Sequence, residues 1–163
     1  RSTLFPYTTL FRSAYLGETS EIDEAKFNEE VKRRGLGRFV VYNGRKYGVE
    51  KNKFFDEADI FVFPTFYPNE TFGLVNLEAM EHKLPVVATN EGGIPDVVKD
   101  GENGLISEKR NPMSLANCIS KLLENKKLRE KMGEAGYRKF KTEFTLRKFE
   151  ERMAEILGNV ITS

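Results

Sequence analysis

Glu70 and Glu78 are the residues best placed to do chemistry. They bracket residues 71–77 in the stretch NETFGLVNLEAM, residues 69–80. Phe72-Gly73 and the apolar run after it read as a helix that starts near Gly73. The first amides of such a helix, at Phe72, Gly73 and Leu74, have no acceptor within it. A helix start with a glycine that permits close approach is a site for phosphate. Glu70 precedes that end. Glu78 follows Leu74 by four residues, so it points to the same side, beside Leu74, Leu77 and Met80. A carboxylate half withdrawn from water needs donors, and ligand hydroxyls supply them. Two hydroxyl-gripping carboxylates around an anion-binding helix end would complement a sugar joined through a diphosphate to a ribose. An ordinary reading stands beside this one: Glu70 as an acid favoured by the helix dipole, and Glu78 as a surface glutamate.

The elements around this stretch predict how it is held. Residues 39–42 and 60–63 are apolar runs closed by Asn43-Gly44 and by Pro64, and 85–88 is a third. Each reads as a buried strand. A strand ending at Tyr15-Leu16-Gly17 precedes them. A first helix opens at Ser20, or at Glu21 with Asp23. It ends at Lys32, Arg33 and Arg34 before Gly35 and Gly37, a charge order that suits its dipole. Residues 51–58 predict a short helix, and 72–82 the helix of the central stretch. Asn90-Glu91-Gly92-Gly93 is a loop before a short helix at 95–98. Residues 100–104 form a turn before Leu105-Ile106. Pro112 sits where a first-turn proline belongs, on a helix to 123 with Leu115, Cys118, Ile119 and Leu122 on one face. Helices at 127–140 and 145–158 follow, with Thr145 as a cap.

Strands apolar throughout and separated by helices predict an α/β domain, a Rossmann-like parallel sheet with helices on both faces. Ligands of such sheets bind outside the carboxyl ends of the strands. Those ends carry Asn43-Gly44-Arg45, residues 64–70 and residues 90–93, so these loops are expected to line one crevice. Gly92-Gly93 either lets backbone approach a ligand or is an ordinary strand-to-helix turn.

Composition bounds the rest. The chain has 163 residues, 39% hydrophobic and 31% charged, a globular profile large enough for a real core. Its net charge of +1 implies no nucleic-acid partner. No apolar run reaches the roughly 20 residues of a spanning helix. The one cysteine, Cys118, forms no internal disulfide and fits a reducing compartment. It reads as core, and the lone His82 reads as structural. Residues 121–152 carry 11 Lys and Arg against 6 Glu. Solvated helices account for that excess; attraction to an anionic membrane surface is the sharper alternative. Residues 1–13, RSTLFPYTTLFRS, contain no acid and repeat TLF. They look like a non-native leader, which leaves 14–163 as the domain and predicts that the natural chain began upstream.

Glu70 and Glu78 in ETFGLVNLEAM resemble the E-x7-E motif of retaining GT-B glycosyltransferases, family 4, the "glycosyl transferases group 1" type. The similarity continues through LPVVATNEGGIPDVV (84–98), DGENGL (100–105) and KFKTEFTLRKFEERM, and upstream through ADIFVFPTFY (58–67). It implies half of a GT-B fold, the C-terminal domain that binds a UDP- or GDP-sugar. The position of Glu70 would contact the transferred sugar and serve catalysis. Glu78 would hold the ribose hydroxyls, and the backbone of Thr71, Phe72, Gly73 and Leu74 would meet the diphosphate and sugar. Gly44 and Arg45 would lie near the base. Transfer would proceed with retention, with no cofactor and no bound metal, which agrees with the lack of a His/Cys ligand cluster.

The setting implied is glycan or glycoconjugate synthesis, cytoplasmic, at the inner face of a membrane. The chain departs from the pattern at Glu81-His82-Lys83, where the family often has a small residue and glycine. It also lacks the acceptor-binding N-terminal domain and the basic residues that usually neutralise the diphosphate. The isolated chain is therefore expected to bind nucleotide without transferring sugar. The alternatives are a non-catalytic nucleotide-binding module of the same architecture and half of a sugar-nucleotide epimerase. The second lacks support, since no G-x-G-x-x-G follows the first strand.

Overall fold

The computed structural model describes residues 13–15 and 24–161. The leader expected at 1–13, the turn at Leu16-Gly17 and the cap at Ser20, Glu21 or Asp23 lie outside the described residues, apart from Ser13, which opens a strand. The chain divides into two compact units, residues 1–54 and 55–163.

The first unit contains β1 (Ser13–Tyr15), α1 (Glu24–Arg33), β2 (Val40–Tyr42) and most of α2 (Gly48–Glu57). The two strands run parallel, with Ser13 opposite Val40 and Tyr15 opposite Tyr42. Helix α1 ends as its sequence predicts. Gly35 takes a positive φ of 68°, its amide donates to the Lys32 carbonyl, and the Leu36 amide reaches back to Val31. That pair of bonds satisfies the last carbonyls of a helix only when the residue after the end is left-handed. Near the same end Glu30 accepts from Arg33 at 2.6 Å and from Arg34 at 2.5 Å. These guanidinium bonds, Arg33 first, hold its carboxyl down at about 2.

The second unit is a parallel sheet in the order β3 (Phe61–Phe63), β4 (Val86–Thr89), β5 (Gly104–Ser107). Phe63 pairs with Ala88, and Thr89 pairs with Ser107. All four residues of β4 are buried, as the central strand of a covered sheet requires. Alternation then divides the core. Val86 and Ala88 pack on one face with Leu77, Met80, Ile94 and Val97 from α3 (Leu74–Glu81) and α4 (Ile94–Val97). Val87 packs on the other with Leu122 and Met132 from α5 (Pro112–Glu124) and α6 (Lys126–Glu143). A last helix, α7 (Leu146–Ile161), completes the unit. The expected α/β architecture, a parallel sheet with helices on both faces, is the one observed.

Most helix signals act where they were read. Pro112 occupies the first turn of α5, behind Asn111, whose side chain accepts from Met113 and Ser114. Thr145 accepts from the Lys148 amide at 3.3 Å at the start of α7. Cys118 packs beside Leu122, and burial pushes its thiol up. Phe61, Phe63, Phe140 and Phe144 pack against the α3 side of the core, as expected.

Two readings of α3 need correction. It starts at Leu74, not at 72, because Gly73 lies at φ 64° and ψ 80°, outside helical geometry. The stripe of Leu74, Leu77 and Met80 also fails at its first member. Leu74 is 67% exposed, while Asn76 joins Leu77, Ala79 and Met80 among the buried residues. Burial on several sides of a short helix under a sheet removes the one-face pattern that a surface helix shows.

Candidate functional site

The site is built where β3 hands over to α3. Pro64 cannot continue the ladder, so the chain leaves the sheet and crosses residues 64–70 before α3 begins. Glu70 turns back on this crossing, and its Oε1 accepts from the Gly73 amide at 3.1 Å. The carboxylate therefore sits just before α3, bonded to the amide of the residue that precedes the helix, where the helix dipole favours negative charge. The contact is the one that the dipole reading of Glu70 calls for. Glu78 lies half-buried one turn into the helix.

Three carbonyls of this turn are held by donors from the protein. The Gly93 amide donates to the Thr71 carbonyl. Asn76 Nδ2 donates to Phe72 at 3.3 Å, and the Asn76 amide donates to Gly73 at 2.8 Å. Gly73 is packed from below: a Cβ there would stand 2.5 Å from Asn76 Nδ2 and 2.9 Å from the Phe63 ring. The glycine is thus demanded by its neighbours as well as by its positive φ.

Gly92-Gly93 braces the turn from the next crossing. Gly92 has φ 50°, and a Cβ on it would collide with the Glu70 carbonyl; a Cβ on Gly93 would collide with that of Thr71. The pair stands in the turn from β4 to α4, and its backbone packs closely against the Glu70 loop. Thr89 at the end of β4 adds a hydroxyl bond to the Thr65 carbonyl.

A third crossing joins these two, and sequence reading missed it. Residues 108–111 follow β5. Lys109 reaches Glu91 at 2.9 Å, and the Arg110 guanidinium lies 5.1 Å from the centre of the Phe66 ring. Arg110 has φ 56°, uncommon outside glycine. The only signal in the sequence was a basic pair after an apolar run.

Of the predicted site residues, Glu70, Thr71, Phe72, Gly73, Leu74 and Glu78 share one turn and one helix. Gly44 and Arg45 belong to the first unit, after β2, where Gly44 has φ 64° in open surroundings. His82 lies at the far end of α3, bonded through Nδ1 to Asp56 at 2.7 Å and stacked on Phe55. That placement is structural. Among the described residues, no three His, Cys, Asp or Glu side chains are grouped to hold a metal ion. Among the same residues, no helix is long and apolar enough to cross a membrane.

Comparison with known proteins follows the same stretch. The sequence profile of the family "Glycosyl transferases group 1" matches residues 17–139. Sulfoquinovosyl transferase SQD2 of Arabidopsis thaliana is 35% identical over 117 residues, covering 70% of this chain and 22% of that protein. The chain thus spans less than a quarter of that relative's length. The crystal structure of the C-terminal domain of a glycosyl transferase group 1 family protein (LpcC) from Francisella tularensis superposes with a TM-score of 0.67 at 30% identity. It covers 75% of this chain and 62% of that one. Anabaena Alr3699/HepE, solved in complex with UDP, gives a TM-score of 0.75 at 24% identity, covering 83% and 36%. At that identity the likeness speaks for the fold.

Proposed function

The chain belongs to the glycosyl transferases group 1 family, and from that premise we propose that it is the donor-binding half of a retaining GT-B glycosyltransferase. It grips a UDP- or GDP-sugar at the start of α3. The reading is carried by the Glu70–Gly73 turn, whose carbonyls are tied to donors from the protein and whose Gly73 amide holds the Glu70 carboxylate. The backbone of Thr71, Phe72, Gly73 and Leu74 meets the diphosphate and sugar, with the Gly73 amide held by Glu70 until the donor enters. Glu78 holds the ribose hydroxyls. Glu70 contacts the transferred sugar and serves catalysis, and Gly44-Arg45 lies near the base. The acceptor is held by a second domain, and transfer to it, in glycan or glycoconjugate synthesis, occurs on the cytoplasmic side with no bound metal. The solved complex of HepE with UDP supports a uridine nucleotide as the first probe.

Calorimetry with UDP, GDP and their glucose and mannose conjugates tests this. Glu78→Ala is expected to weaken nucleotide binding by about 1.5–3 kcal/mol, the range of a hydrogen bond to a charged group. Glu70→Gln is expected to spare it, because a glutamine oxygen still accepts from the Gly73 amide. If neither substitution changes the binding of any nucleotide, the assignment is wrong.

A further inference from the structure

We propose that Asn76 is the positioning residue that aims the amides of the donor-binding turn outward, and that the fold tolerates a poorly satisfied buried carboxamide for this purpose. This rests on the donor-site reading above.

Asn76 is fully buried in the first turn of α3, among Leu77, Ala79 and Met80. Its Oδ1 is buried with no hydrogen-bond partner among the described residues. Such an atom costs a fold about as much as a lost hydrogen bond, and asparagine is a mediocre helix former. An alanine or a leucine would serve the core better. What neither can do is what Asn76 does at its other end.

Asn76 is the third residue of α3, where a helix offers the amide no partner four residues back. Here it bonds to Gly73 instead, at 2.8 Å, and the side chain of the same residue takes up the Phe72 carbonyl at 3.3 Å. One residue thus holds two successive carbonyls from inside. The Gly93 amide holds the one before them, on Thr71. In a trans peptide the N–H points opposite to the C=O of the same unit. With the carbonyls of 71, 72 and 73 drawn onto protein donors, the amides of Phe72, Gly73 and Leu74 are turned the other way. Successive amides aimed to one side make an anion-receiving concavity. The Glu70 carboxylate, bound to the middle amide, occupies that outward side.

The test compares wild type with Asn76→Ala, Asn76→Leu and Asn76→Ser. Serine in a helix donates to the carbonyl four residues back, so it restores the tie to Phe72 that alanine removes. UDP affinity is read by calorimetry, stability by thermal melting, and the Gly73 amide by hydrogen exchange. Asn76→Ala is expected to melt within about 4 °C of wild type and to bind UDP at least about tenfold more weakly. Its Gly73 amide should exchange faster, and Asn76→Ser should recover most of the affinity. UDP affinity of Asn76→Ala within about twofold of wild type, or a serine variant no better than alanine, overturns the proposal. So does loss of folding in both the alanine and leucine variants, which would make Asn76 structural. If wild type binds neither UDP nor GDP, the donor reading fails separately, and exchange at Gly73 decides for Asn76. Faster exchange in the alanine variant than in the serine variant supports the role, and equal rates overturn it.

Discussion

At the scale of single residues, Glu70 is held by a structural contact, its carboxylate on the Gly73 amide. An acid at a helix start lowers the energy of that start, and the same position brings a carboxylate to whatever the amides receive. Glycine carries comparable weight at 92. A side chain there meets the Glu70 carbonyl at a backbone φ of 50°. Gly92→Ala is expected to destabilise the fold by about 1–3 kcal/mol, as overpacking does, and to weaken UDP binding, read by melting and calorimetry on one preparation. Charge acts more simply at Glu30, whose carboxyl titrates at about 2 against an ordinary value of 4.5. A depressed acid contributes stability above its unfolded value and loses it as pH falls through the folded one. Its support for α1 is therefore present above pH 4.5 and lost between there and about 2. In an NMR titration, Arg33→Gln is expected to move the Glu30 carboxyl back up.

At the scale of elements, helix ends hold the second unit together. Helix α3 ends without glycine: Lys83 takes φ 58°, its amide bonds to Met80 and the Leu84 amide bonds to Ala79. This is the hydrogen-bond pair of a glycine-capped helix, made by a lysine whose ammonium also reaches Glu134 at 3.1 Å. The missing C-cap glycine thus changes the residue and leaves the motif in place. The glycine that matters is on α6. A Cβ on Gly133 would collide with the Lys83 carbonyl, so α6 packs on α3 by backbone contact. Gly133→Ala is expected to cost about 1–3 kcal/mol of stability, measured by denaturant unfolding. Lys139, farther along α6, donates from Nζ to the carbonyls of Asp96 at 2.6 Å and Val97 at 3.0 Å. A cation on the last carbonyls of α4 opposes its negative end, and Lys139→Ala is expected to destabilise by about 1–2 kcal/mol.

At the scale of the whole molecule, the edge formed by the carboxyl ends of β3, β4 and β5 is tied across by side chains. Thr89 bonds back to Thr65, Lys109 reaches Glu91, and Arg110 covers Phe66. Loops fixed to one another in this way present a ligand surface that needs little ordering on binding, which favours affinity. Transfer asks for more than a grip on the donor. Lowering the barrier depends on charge placed at the leaving diphosphate, and Lys109 is already paired with Glu91. The 163-residue chain alone is expected to bind UDP and to show no sugar transfer in a radiolabelled-donor assay. Measurable turnover by the purified chain would contradict that expectation.

Local sequence determined the elements and their caps. Pro112, Thr145 and Gly35 act where they were read, because a helix end depends on residues within one turn of it. The apolar run of β4 set the central strand for a similar reason, since a strand covered on both faces must be apolar throughout, whereas the run at 39–42, read as buried, leaves Val41 46% exposed in β2. The Glu70 to Glu78 stretch was legible as a helix start because its glycine and the acid before it are local to that start. Tertiary structure alone decided the rest. The burial of Asn76 and the exposure of Leu74 depend on what lies over α3, which periodicity within the helix does not record. The need for glycine at 73, 92 and 133 comes from atoms distant in sequence or folded back onto the turn. The crossing after β5 joined the site only once strand order had placed β5 beside β4. Proximity between distant segments is a property of packing, and no single stretch of the chain carries it.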